Sequence, residues 1–190
     1  MKTGNILFCG VGGQGILLAS ELTAQAQLAA GFDVKKSEVH GMAQRGGSVE
    51  AHLRYGEKVY SPLIEPGAAD ILVAFEKMEA VRYAPYLKPD GIAVINDYAM
   101  ESSTTAAGLA VYPEGCVEAM QAHFTCHVLN AEAIAASLGN VKCMNVVLFG
   151  SMVKALGMND IDWETVIADT VPPKFRELNL KAYRAGYDAV

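Results

Sequence analysis

Charge is scarce in this chain. Lys, Arg, Asp and Glu make up 19% of its 190 residues against 52% hydrophobic ones, and the formal net charge is −6. That acidic balance excludes general affinity for nucleic acid or an anionic membrane surface, since neither attracts a negatively charged protein. Long hydrophobic runs are also missing. No apolar stretch approaches the roughly 20 residues that cross a bilayer, and the N-terminus lacks the pattern of a cleavable signal peptide. A cytoplasmic protein is the expectation. Cysteine is sparse: Cys9, Cys116, Cys126 and Cys143 are scattered and form no C-x-x-C. The spacing supports neither an iron–sulfur cluster nor a zinc ribbon, and disulfides are not expected in a cytoplasmic protein. Internal repeats, linkers and low-complexity tracts are absent as well. The length suits a single α/β domain over residues 1–190 with a sizeable core. So apolar a composition predicts that part of the surface is buried against another chain.

What is present begins with glycine. Gly10-Val11-Gly12-Gly13-Gln14-Gly15 lies between an apolar run, Ile6-Leu7-Phe8-Cys9, and a segment with helical character over 13–30. A G-x-G-x-x-G string gains physical content only in this strand–turn–helix setting. The first glycine permits a tight turn, the second a close approach of backbone to ligand, and the third close helix–strand packing. Together they leave N–H groups free at a helix N-terminus, where an anion is favoured. The alternative is a turn that merely packs helix on sheet. Small residues at Ala19, Thr23, Ala26 and Ala30 form the stripe a helix needs to lie close to a sheet.

A second strand is predicted near 33–39. The helix that should follow it does not appear. A polar, glycine-bearing segment comes instead, and then 48–55 alternates, with Val49, Ala51, Leu53 and Tyr55 opposite Glu50, His52 and Arg54. Gly56-Glu57 reads as a hairpin turn into a further strand over 58–61. The α/β rhythm then resumes, with buried strands at 70–75 and 92–95, a helix over 76–87, and strands at 109–112 and 125–129. Helices are predicted at 116–123, 131–138, 141–156, 163–171 and 173–187. The expected fold is a Rossmann-like, doubly wound, mostly parallel sheet with a β-hairpin insertion after the second strand and C-terminal helices.

Dinucleotide binding requires a carboxylate at the end of the second strand. Glu38 lies 23 positions after Gly15, near the spacing of about 20 in the fingerprint. It leads, however, into a glycine-rich polar segment, and no Tyr–Lys proton relay at helical spacing is visible. The segment 37–48 gathers Glu38, His40, Gln44, Arg45 and Ser48 around Gly41, Gly46 and Gly47. Arg45 offers a planar fork for a carboxylate or phosphate, and His40 a hydrogen bond or a proton near neutral pH. Recognition of a ligand or partner is expected there, the alternative being a solvated loop. His123 and His127 flank Cys126, but their entry into a strand points them apart and disfavours a metal pair. His52 reads as an exposed or interface residue.

Two strings now carry a resemblance: the glycine turn at 10–15, and Lys36-Ser37-Glu38-Val39-His40-Gly41-Met42-Ala43-Gln44-Arg45-Gly46-Gly47-Ser48-Val49. They closely resemble the gamma-type domain of 2-oxoacid:ferredoxin oxidoreductases, in the variant that forms the beta (small) subunit of indolepyruvate-type enzymes. Lys142-Cys143-Met144-Asn145 and the tail from Val171-Pro172-Pro173 to Tyr183 are similar to the end of that subunit. The resemblance implies an enzyme that oxidatively decarboxylates a 2-oxoacid on thiamine diphosphate, reduces ferredoxin through iron–sulfur clusters, and forms an acyl-CoA. It places thiamine and clusters in a large alpha subunit and none on this chain, which should be inactive alone. The residues expected to meet ligand or partner are Gly10, Gly12, Gly13, Gln14, Gly15, Glu38, His40, Gln44, Arg45, Gly46, Gly47 and Ser48. A gamma subunit serving pyruvate, branched-chain 2-oxoacids or 2-oxoglutarate, and a free-standing nucleotide-binding module, remain the alternatives.

Overall fold

A computed structural model of the chain describes residues 3–41, 46–101, 105 and 107–190. β1 (Gly4–Val11) leads through the glycine turn into α1 (Ile16–Ala29), then β2 (Asp33–His40) and β3 (Ser48–Gly56). β4 (Ala69–Ala74), α2 (Lys77–Tyr83), β5 (Leu87–Asn96), α3 (Cys116–Gln121) and β6 (Thr125–Leu129) continue the α/β pattern. α4 (Ala131–Ser137), α5 (Met144–Leu156), α6 (Trp163–Thr170) and α7 (Arg176–Asp188) close the chain. The sheet has six strands in the order β2-β3-β1-β4-β5-β6. β1, β4, β5 and β6 are parallel neighbours, while β3 runs antiparallel to both β1 and β2.

Helices cover both faces, so the central strands read as continuous apolar runs. Ile6 and Phe8 of β1 point to the core shared with Ala19 and Leu22 of α1 and with Val146, Phe149 and Trp163. Leu7 and Cys9 point to the opposite core, with Ala80 of α2 and Met120 of α3. Phe8, Phe75 and Phe149 are fully buried, each worth about 1.5–3 kcal/mol of transfer free energy. The small stripe on α1 does its expected work at Ala19, Thr23 and Ala26, all buried, whereas Ala30 has passed into the exposed C-cap. α5 is locked against α7, where a Cβ on Gly186 would fall 1.8 Å from the Val147 carbonyl oxygen. This matters for the site because α5 begins beside the glycine turn.

Three expectations need correction. The hairpin is not formed by 48–55 and 58–61. β2 itself pairs with β3 from Asp33–Gly56 to His40–Val49, with 41–47 as the connection, and β3 inserts between β2 and β1. Residues 58–61 form no strand: the Val59 N–H donates to Asp33 (3.0 Å), and the Val59 side chain is buried. Nor do residues 109–112 join the sheet. Leu109 and Val111 are 80% and 93% exposed, and Tyr112 instead donates its hydroxyl to buried Glu76. The helix expected over 76–87 stops at Tyr83 and passes into a 3-10 turn at Ala84–Tyr86, where Pro85 removes a backbone donor.

Candidate functional site

The glycine turn lies at the C-terminal end of β1, where open α/β sheets place their ligands. Gly15 caps α1 at φ 82°, a left-handed conformation that favours glycine. Its Cβ position is also filled, since an added methyl would sit 2.5 Å from Asn145 Nδ2 of α5. No acidic residue lies in the first turn of α1 and no side chain caps it. Among the described residues, no acceptor meets the N–H groups of Gly13, Ile16 or Leu17. These groups present partial positive charge outward.

The floor of the turn is the reverse, closed and satisfied. Gln14 is buried, with Oε1 accepting from the Val11 N–H (2.7 Å) and Nε2 donating to the Phe75 carbonyl (3.0 Å). The same carbonyl accepts from Asn96 Nδ2 (3.1 Å), and Asn96 Oδ1 accepts from the Ala131 N–H (2.9 Å). The Phe75 N–H donates to the Cys9 carbonyl (2.8 Å). Two side-chain amides thus brace the ends of β1, β4 and β5 and the start of α4. A Cβ on Gly10 would meet Gln14 Oε1 and Phe75 Cβ, each at 2.7 Å. Gly10 and Gln14 therefore build the floor, and the Gln14 carboxamide is committed to the Val11 N–H and the Phe75 carbonyl while also bordering the second cleft.

Clefts open on either side of the turn. One, of about 440 Å³, is lined by Gly12, Gly13, Gly15, Ile16, Leu17, His40 and Val49. The other, of about 330 Å³, runs past Gly13 and Gly15 to Tyr98, Glu132 and Lys142. His40 and Lys142 are exposed, and neither side chain has a hydrogen-bond or ion-pair partner among the described residues. Gly47 is drawn onto the turn by the Gly12 N–H donating to its carbonyl (2.8 Å), and Gly41 donates its N–H to the Ser48 carbonyl (2.8 Å). Gly46, at φ 79°, has open space where a Cβ would be. The structure thus brings Gly12, Gly13, Gly15 and His40 to one cleft, with Gly47 joined to its rim. Gln44 and Arg45 lie outside the described residues.

Other candidate side chains are engaged elsewhere. Glu38 forms an ion pair with Lys36 (2.8 Å) and accepts from Ser20 (3.4 Å). Because β3 separates β2 from β1, Glu38 is also displaced from the turn by an extra strand spacing of about 5 Å. That is one strand too far for the ribose carboxylate of a dinucleotide site. Ser48 donates to buried Glu79 and lies 3.3 Å from the Tyr83 hydroxyl. Glu79 is further paired with Arg82 (3.0 Å), while burial, followed by Glu79 and Glu76, pushes the Cys9 thiol well up and leaves it an inert core group. His52, expected at the surface, is buried. Its Nδ1 accepts from the Ile64 N–H (3.1 Å) and its ring stands edge-on to Tyr86. Burial holds its pKa below the usual 6.5, against the opposing pull of Glu50 at 3.7 Å.

Asn96 and Tyr98 escaped the sequence reading, and Asn145 entered it only within the string Lys142-Cys143-Met144-Asn145, without a role at the turn. Asn96 had a legible signal, a lone amide closing the buried run 92–95. Asn145 and Tyr98 had none, because their roles depend on which distant backbone they meet.

Residues 5–189 match the family described as pyruvate ferredoxin/flavodoxin oxidoreductase. The chain is 40% identical over 195 residues to the indolepyruvate oxidoreductase subunit IorB of Pyrococcus horikoshii, covering 100% of this chain and 96% of that one. It is 41% identical over 191 residues to IorB of Archaeoglobus fulgidus, covering 97% and 94%. Among solved structures, the keto/oxoacid ferredoxin oxidoreductase gamma subunit of Geobacter sulfurreducens superposes with a TM-score of 0.72 at 24% identity, covering 98% and 97%. That likeness speaks to the fold. The family match over residues 5–189 and the whole-length identity to oxidoreductase subunits make this chain a subunit of a 2-oxoacid:ferredoxin oxidoreductase and a member of the pyruvate ferredoxin/flavodoxin oxidoreductase family.

Proposed function

We propose that the chain is the small subunit of an indolepyruvate-type enzyme and completes the reaction chamber of a larger partner, with the glycine turn and the 38–48 segment directed at that partner. The observation that carries this reading is the contrast at the turn. Its floor is hydrogen-bonded through Gln14, while its rim, among the described residues, holds unpartnered N–H groups with His40 and Lys142 beside them. A rim of that kind suits an anionic group brought in from outside, either the diphosphate of CoA or the carboxylate of a 2-oxoacid.

The four free cysteines lie in β1, at the start of α3, in β6 and before α5. They do not converge as cluster ligands would, and among the described residues no three His, Cys, Asp or Glu side chains gather. The resemblance assigns the iron–sulfur clusters and thiamine diphosphate to the large alpha subunit, which would pass electrons to ferredoxin. When bound there, those groups supply decarboxylation and electron transfer. This chain would orient the anion through backbone N–H groups, hold it with His40, and exclude water by docking. Among the described residues no helix is long and apolar enough to cross a membrane, and a cytoplasmic enzyme with no nucleic-acid partner fits the charge balance.

Co-expression with a large-subunit gene tests the reading. Dye reduction that depends on CoA and on an aryl pyruvate, and that requires both chains, is the expected result. Equal rates with pyruvate and indolepyruvate would overturn the aryl assignment. Turnover by the small chain alone, or tight nicotinamide binding by it, would overturn the subunit reading in favour of an independent module.

A further inference from the structure

β2 is an outer strand of the sheet, and no described segment pairs with its free edge. Such an edge invites another chain unless something deters it, and lysines are a common deterrent. Here the charges are already neutralised within the subunit: Lys35 by Asp33, and Lys36 by Glu21 (2.6 Å) and Glu38 (2.8 Å). Asp33, Lys35, Lys36 and Glu38 sum to zero, and Val39 stands 50% exposed among them.

We propose that two copies of this chain pair antiparallel through their β2 edges, joining the two six-stranded sheets about a two-fold axis at Ser37. Charge selects the register. Lys36 and Glu38 point to the α1 side, where they meet Glu21 and Ser20, so Asp33, Lys35, Ser37 and Val39 point to the other side. A two-fold axis normal to the sheet keeps each side chain on its face, so the axis must pass through a residue and not between two. An axis at Lys35 or Lys36 sets lysine against lysine, and one at Glu38 sets glutamate against glutamate. An axis at Val34 sets Lys35 against Asp33 but overlaps little of β2, whereas one at Ser37 sets Lys36 against Glu38 of the second copy, twice, and pairs the strand from Val34 to His40. Cross-strand opposite charges of this kind favour pairing and like charges oppose it.

A second feature agrees. The Glu21–Lys36 contact turns the Glu21 side of α1 toward the β2 edge. On that side, four residues before and seven after Glu21, Leu17 and Leu28 are 38% and 56% exposed. A sheet continued across β2 brings the two α1 helices onto the same face, where these leucines gain cover. The inference concerns self-association and does not rest on the identity of the larger partner.

Sedimentation of the purified chain should give the dimer mass. Ser37→Cys places two thiols across the axis at a cross-strand Cα separation of about 4.5–5.5 Å, inside the disulfide range. Mild oxidation should therefore link the two copies covalently, while Val39→Cys, which faces Lys35 of the second copy, should link no more than the unmodified chain does. Glu38→Lys should yield monomer, with circular dichroism checking the fold. A monomeric wild-type chain overturns the proposal, including the case in which the edge is filled only by a strand of another protein. A dimer in which Ser37→Cys does not link, or Val39→Cys links equally well, overturns it too.

Discussion

The two sides of the glycine turn are built on opposite plans, although six consecutive residues make both. On the inner side, Gly10 has no room for a methyl, and Gln14 joins the Val11 N–H to the Phe75 carbonyl. On the outer side, a Cβ on Gly13 would meet nothing within 4 Å, and the neighbouring His40 side chain is exposed. The inner half holds strands together, while the outer half, among the described residues, holds only the Gly47 carbonyl through the Gly12 N–H. The motif alone cannot tell these roles apart, because glycine serves a tight contact and an open approach equally well.

Substitutions should separate the halves by what they damage. Gly10→Val forces a branched side chain into the Gln14–Phe75 contact and is expected to destabilise the chain by about 3 kcal/mol, read as a lower denaturant midpoint. Gln14→Ala leaves the buried Val11 N–H without its acceptor, an expected loss of about 1–3 kcal/mol by the same measurement. A rim change should invert the pattern. His40→Ala should leave stability within about 0.5 kcal/mol yet weaken the apparent CoA or 2-oxoacid affinity of the assembled enzyme about tenfold, the worth of one charge-assisted hydrogen bond. Unchanged kinetics would remove His40 from the site. A large stability loss would erase the contrast between the halves.

The smallest effect concerns His52, buried on the β3 side away from the rim. Burial lowers its native pKa below 6.5, so the unfolded chain takes up a proton at a pH where the native chain does not. The stabilising contribution is present above 6.5 and is lost as pH falls from there toward the lower native value. An imidazole titration by NMR should find the native midpoint below that of a free histidine, and a midpoint above 6.5 would contradict the buried neutral form.

Much of the architecture was legible because it is periodic. The continuous apolar runs that became β1, β4 and β5 and the helical patterns after residue 131 announce themselves by composition. The strand at 48–55 was legible too, but not its partners: alternation tells which side chains share a face and is silent on which strand lies alongside. Val59 is buried without a ladder, and an apolar residue between turn signals looks the same either way. His52 misled for a related reason. Its position on the polar face of β3 was right, but the segment that folds over that face, with Ile64 and Tyr86, is remote in sequence. At the turn, glycine spacing marked where β1 passes into α1, yet the use of Gln14 and the help of Asn96 depend on the Phe75 carbonyl, which has no sequence signature.

The strand inserted between β1 and β2 has a consequence for anyone redesigning this protein. Conversion to a nicotinamide-dependent catalyst by exchanging side chains is closed off, since the acid at position 38 would still be anchored one ribbon away from the glycine turn. Only removal or re-routing of β3 would bring it within reach, and that strand supplies the ladder on which both of its neighbours depend.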